Sequence, residues 1–360
     1  MTESNVEQIK KYRDRQLGVL EQEKESNKNY RQWHNELEDF RNYILSKYIA
    51  RQYGRWMYQS KNLILPSRDT VDHHVISYLA PLNFKRTGWG GDKITPSEQM
   101  SQLSDYFRQC GIRFIYVALP NKGNVYPEII CDDMEVLRGK TPNNPQWRKY
   151  LRETILSGVE VIDVLPTFMK FRHRLTLFTK GHNISNLGAK IVGDMIAKYL
   201  KDTTPGLEFN YKKIEENRCY NFRTGDYGDP GYDGALEVCV SHIINEGGKR
   251  IPYWNQGAED SKIAILGDCN LQNFSAFGGG IAASLAYRLK YPVYNFGRKL
   301  IFGCSESLKE DDFQCLKKYK IIVYVAFASA PFVRSAAIFS WREHVASGYP
   351  WCQVDLRRID

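Results

Sequence analysis

The chain has 360 residues, with 50 Lys and Arg against 41 Asp and Glu for a formal charge of +9, and 42% of its residues are apolar. That is enough to bury a sizeable core in one large domain or two. No run approaches the ~18 consecutive apolar residues of a spanning helix, and the start MTESNVEQIKKYRDRQ lacks the basic-then-apolar pattern of a secretory signal, so neither a transmembrane segment nor self-export is expected.

Residues 1–62 are rich in Glu, Lys, Gln, Arg and Tyr, with Leu17, Leu20, Trp33, Leu37, Phe40, Tyr43 and Ile44 at loose helical spacing. They read as a helical N-terminal extension, either a docking or oligomerising arm or a component of the fold. Residues 63–360 read as one α/β domain. After a Gly- and aromatic-rich loop, a helix over about 97–110 leads to the strand RFIYVALP. A helix over about 145–157 leads to the strand VEVIDVLP, and a third helix, about 186–200, follows HNISNLGA. An irregular insertion is expected over about 202–260. Then come the strand KIAIL, the helix SAFGGGIAASLAYRL, the strand PVYNF, a helix over about 307–318 and the strand YKIIVYVAF. Strands separated by helices of this length predict a mostly parallel sheet covered on both faces, a three-layer α/β/α architecture.

Ligands of such sheets bind outside the carboxyl ends of the strands. Those ends present Pro120, Asn121 and Lys122; Asp163; Gly267, Asp268 and Cys269; and Asn295 to Arg298. The loop LFTKGHNISN precedes another helix. Cys269 reads either as a nucleophile, its thiolate favoured by a helix N-terminus, or as a small buried hydrophobe. Asp268 reads as a turn acceptor of backbone hydrogen bonds and, beside Cys269, also as a candidate catalytic residue, and Asn121-Lys122 as an anion and substrate contact or a strand cap. The adjacent His73 and His74 would point to opposite faces of a strand, which argues against a metal pair. The eight cysteines, Cys110, Cys131, Cys219, Cys239, Cys269, Cys304, Cys315 and Cys352, form no CxxC pair, so neither a zinc site nor any other cofactor is expected. The positive charge favours acidic partners. Because the Lys and Arg are scattered rather than arranged in a stripe with aromatic platforms, nucleic acid is not expected among them.

The ordered set PNKGNVYPE (120–128), VEVIDVLP (159–166), LFTKGHNISNLGA (177–189), AILGDCNLQNF (264–274) and YPVYNFG (291–297) resembles the alginate O-acetyltransferase family of the AlgJ/AlgX type. These are SGNH-hydrolase-like proteins that O-acetylate exopolysaccharides. The resemblance spans roughly residues 80–330. It implies an SGNH-hydrolase-like fold, a polysaccharide or acyl-ester substrate, a membrane-bound acyl-transfer partner and a periplasmic or other extracytoplasmic location. The absence of a signal in this chain leaves the cytoplasm as the alternative. In that family a Gly-Asp-Ser turn carries the nucleophile and an Asp-x-His-Trp loop carries the acid and base. The serine falls on Cys269, the histidine on His182, the aspartate on Lys180 and the tryptophan on Asn183.

Two triad positions are therefore changed. A serine hydroxyl needs a base oriented by an acidic residue, and Lys180 in place of that acid would oppose an imidazolium. A cysteine, with a reference pKa of about 8.5, is less demanding. One expectation is acyl transfer through a thioester on Cys269, with His182 moving the proton. Asn270, Asn295 and backbone N–H groups would then hold the oxyanion, and Lys180, Lys122 and Arg298 would contact an anionic sugar or tune the thiol. Asp163 is a substitute for the missing acid if it lies close enough. The other expectation is a catalytically inactive relative that binds carbohydrate or serves in assembly of a polysaccharide-modifying complex.

Overall fold

The computed structural model describes residues 3–26, 95–126, 145–173, 177–178, 183–204, 214–223, 235–244, 247–255, 258–275, 278–298 and 310–328. In chain order, the first half contains α1 (Glu3–Ser26), α2 (Pro96–Gln109), β1 (Arg113–Leu119), α3 (Lys122–Val125), α4 (Pro145–Leu156), β2 (Glu160–Asp163), α5 (Leu165–Phe171) and α6 (Asn186–Thr203). The second half contains β3 (Ile214–Arg223), β4 (Ala235–Ile244), β5 (Arg250–Pro252), β6 (Ile263–Gly267), α7 (Cys269–Gln272), α8 (Ile281–Leu289), β7 (Tyr294–Arg298), α9 (Glu310–Leu316) and β8 (Ile321–Phe327).

The uninterrupted apolar runs of β1, β6 and β8 mark strands buried on both faces, as parallel sheets require. The five strands align in the order β2-β1-β8-β6-β7, and every pairing is parallel. Because side chains alternate across a strand, β1 sorts the layers. Phe114 stacks on Phe107 of α2 at 5.4 Å, and Tyr116 meets Tyr150 of α4 edge-on at 6.4 Å. Arg113, of opposite parity, bonds Thr203 at the end of α6 at 2.7 Å. Helices α2 and α4 therefore cover one face and α6 the other, with α8 packed on α6. At the start of α2, Thr95 Oγ1 accepts from Glu98 N and the Glu98 carboxylate from Thr95 N, a capping box with Pro at the first turn.

Two features depart from expectation. The region expected to be irregular holds a second, three-stranded antiparallel sheet, β3-β4-β5. The helix expected from Ser275 begins only at Ile281, because Phe274 (φ 58°) and Gly278 (φ 71°) are left-handed and the triple glycine resists helix entry.

Helix α1 is part of the fold, while residues 27–94 lie outside the described residues, His73 and His74 among them. Tyr12, Gln16, Leu20 and Glu23 fall three or four residues apart, on one face. Tyr12 packs edge-on against Tyr199 of α6 at 4.9 Å and donates to Asp202, and Leu20 joins the core. Gln16 behaves as a missing strand for the edge of β2: Nε2 donates to Val161 O at 2.6 Å and Oε1 accepts from Asp163 N at 2.8 Å. Glu23 shares the buried Arg148 of α4 with Asp163, at 2.7 and 2.8 Å. Among the described residues no helix is long and apolar enough to cross a membrane.

Removing Arg148 strands Asp163 without its cation, so Arg148→Ala should cost about 3–5 kcal/mol. Arg148→Met, which keeps the packing, should be nearly as damaging while Asp163 remains. Urea denaturation of both variants checks this.

Candidate active site

Strand β6 delivers the Gly-Asp-Cys turn to the carboxyl edge of the sheet. All five of its residues are buried. At Gly267 the neighbouring backbone comes so close that an added Cβ would stand 2.0 Å from Val325 O, so only glycine fits. Asp268 then caps the single turn α7. Its Oδ1 accepts from Asn270 N at 2.8 Å and Asn270 Nδ2 at 2.9 Å, and its Oδ2 accepts from Phe327 N at 2.9 Å. Asp268 is 2% exposed, and its main-chain N–H donates to Val325 O.

Asn270, fully buried, passes this order to the segment before α6: its Oδ1 accepts from Ile184 N at 2.8 Å. Phe178 and Ile184 form a β-bridge and Ser185 N donates to Leu177 O, closing the loop. Ser185 Oγ caps α6 through Gly188 N at 3.0 Å. Asn183 is thereby brought to Cys269, whose half-buried Sγ donates to Asn183 Oδ1 at 3.2 Å. His182 and Lys180 themselves lie outside the described residues.

The helix-end support expected for a thiolate is altered. Helix α7 is one turn long, and the N–H groups of Asn270 and Leu271 already point at Asp268. Asn270's side chain is engaged on both its atoms. On the adjacent strand, Arg298 pairs in register with Gly267 and Asn295 with Ile265. Asn295 Oδ1 accepts from Gly297 N at 3.0 Å, stabilising the bulge there. Asn121 and Lys122, 2% and 3% exposed, follow β1, two strands from β6 and so about 10 Å away in the sheet direction. Asn124 Oδ1 accepts from Asn121 N at 3.1 Å.

Asp163 is not a substitute triad acid. It ends β2, three strands from β6 and so about 14 Å from the turn, and Arg148 and Gln16 hold it. Burial, then Tyr150, Tyr324 and Asp268, pushes the Tyr116 hydroxyl well above its ordinary pKa, so it stays protonated in the core. No group of His, Cys, Asp or Glu among the described residues could hold a metal. The site residue missed in the sequence is Asn183, singled out there only as standing where the resembling family has tryptophan.

No protein-family model matches the chain, and no curated protein sequence does. Among solved structures it is similar to AlgX of Pseudomonas aeruginosa, at 19% identity and a TM-score of 0.45 over 67% of this chain and 59% of that one. It is also similar to the O-acetyltransferase domain of Pseudomonas putida AlgJ, at 12% identity and a TM-score of 0.49 over 71% of this chain and 92% of that one. A third is PatB1 of Bacillus cereus, solved with a sulfonyl adduct, at 11% identity and a TM-score of 0.39 over 66% and 90% of the two chains. The chain thus spans less than two thirds of AlgX, and its function rests on its own residues.

Both oxygens of Asp268 accept, so Asp268→Asn turns an N–H2 toward a donor on one side. We predict that Asp268→Asn and Asp268→Ala each lower stability by about 1–3 kcal/mol in denaturant titrations. An Asn variant as stable as wild type would contradict this reading.

Proposed function

We propose that the chain is an O-acyltransferase or esterase of the exopolysaccharide-modifying type in which Cys269 is the nucleophile. One observation carries the reading: the Gly267–Asp268–Cys269 turn is held at the carboxyl edge of the sheet with its thiol against Asn183, the residue that directly follows His182. The Cys269 thiol gives its proton to His182 as the sulfur attacks the carbonyl carbon of an acyl ester; the C–O bond breaks and the alcohol leaves with that proton. A sugar hydroxyl or water then gives its proton to His182 and attacks the thioester, releasing the thiol. Lys180 and Arg298 are assigned to the oxyanion or to an anionic sugar, since Asn270's donors are engaged inside the fold. Lys122 and Asn295 then serve to shape this end of the sheet. A membrane-bound protein is the proposed source of the acyl group.

A silent carbohydrate-binding or assembly protein is the second reading. It is favoured by that same engagement of Asp268 and Asn270 in structural bonds.

The test is the pH dependence of iodoacetamide labelling at Cys269, together with hydrolysis of simple acyl esters, in wild type, His182→Ala and Lys180→Ala. Acyl transfer predicts labelling that slows in both variants, and ester turnover reduced about 100-fold or more without His182. The binding reading predicts labelling unchanged in both variants, no ester turnover, and ligand binding intact in Cys269→Ala.

A further inference from the structure

Asn183 contacts the candidate nucleophile directly, and its place in the chain gives it a role that the reaction outlined above does not use. Its backbone is fixed from the C-terminal side by two contacts independent of its side chain. These are Ile184 N to Asn270 Oδ1 at 2.8 Å and the antiparallel bridge between Phe178 and Ile184, of which Ser185 N to Leu177 O at 2.9 Å is one bond. The amide is therefore delivered to Sγ by the loop rather than by contact with the thiol. It presents its carbonyl oxygen, at 3.2 Å. In this orientation the amide oxygen accepts the S–H, and a hydrogen bond made to the neutral form of an acid disfavours the charged form.

We infer that Asn183 is a positioning residue that locks Cys269 as a neutral thiol at rest, so that the nucleophile is released only when an acyl ligand displaces the Asn183 amide. The inference rests on Cys269 being the nucleophile. It assigns the site an occupant-triggered reactivity, which protects a half-buried thiol from alkylation and oxidation while the site is empty. Among the described residues, the strands packed against the turn bring few charges. Strands β6 and β8 carry no charged residue, and β7 contributes Arg298. Asp268 lies on the turn itself with both oxygens engaged. Lys122 follows β1, and Lys180 and His182 precede Asn183 in the chain.

The experiment compares the pH profiles of iodoacetamide labelling at Cys269 in wild type, Asn183→Ala, Asn183→Ser and Asn183→Asp, read by peptide mass spectrometry on the full chain. Removing the acceptor in Asn183→Ala should move the midpoint to lower pH by about half a unit to one unit. A carboxylate in Asn183→Asp should move it to higher pH by at least as much, and Asn183→Ser, which keeps a short acceptor, should fall between Ala and wild type. A role in packing alone changes the plateau rate and leaves the midpoints in place. That result, or shifts of the same sign in Ala and Asp, overturns the lock. The two proposals fail separately: opposite shifts at Asn183 with no effect of His182→Ala on labelling or ester turnover would retain the lock and remove acyl transfer.

Discussion

The carboxylate of Asp268 joins the parts of the molecule that meet at the carboxyl edge of the sheet. One oxygen ties β6 to the end of β8 through Phe327 N, and the other orders the turn through Asn270. Asn270 in turn holds Ile184 and with it the loop that bears Asn183. The position of the thiol is thus the end of a chain of bonds that begins with one buried, fully accepting carboxylate, and Gly267 permits it by admitting the Val325 carbonyl where any side chain would collide. A buried carboxylate is tolerated because charge-assisted N–H donors surround it.

Side-chain amides recur as substitutes for strands. Gln16 pairs with the outer edge of β2, and Asn255 donates to Asn295 O and accepts from Asn295 N at the outer edge of β7. Tyr253 continues that edge, its hydroxyl bonded to both Val293 O and Val293 N. Asn186, at the start of α6, grips Cys239 N and O and so attaches the antiparallel sheet beside the loop. An amide reproduces the donor and acceptor of a peptide unit at the cost of one side chain, and it closes an edge that would otherwise invite another strand. The two ends of the main sheet are protected by segments far apart in the chain, and the N-terminal helix is one of them.

Much of this architecture could be read from the chain because β1, β6 and β8 are unbroken apolar runs, whose burial on both faces leaves few alternatives to a parallel sheet. The antiparallel sheet was not, since IEENRCYNFR mixes charges and apolar residues without a continuous run and its pairing is set by distant β4. The delayed start of α8 turns on left-handed Phe274, a conformation that no local residue preference announces. At the site, the turn and the acceptor role of Asp268 were legible from Gly-Asp-Cys. Asn183 was not, because its contact with Cys269 spans 86 residues and depends on Asn270, whose side chain looks like any polar residue in a short helix. The separation of Asp163 from Cys269 likewise follows only from strand order.

On the proposed acyl-transfer reading Cys269 takes the acyl group as a thioester, whereas the binding reading leaves the sulfur unmodified. The most direct test is intact-protein mass spectrometry after brief exposure to an activated acetyl ester, with the modified peptide mapped. The account predicts one acetyl group on Cys269, labile to hydroxylamine as a thioester is, and absent from Cys269→Ala. Acetylation that spares Cys269, or none at all in a protein whose Cys269 is accessible to iodoacetamide, would contradict it.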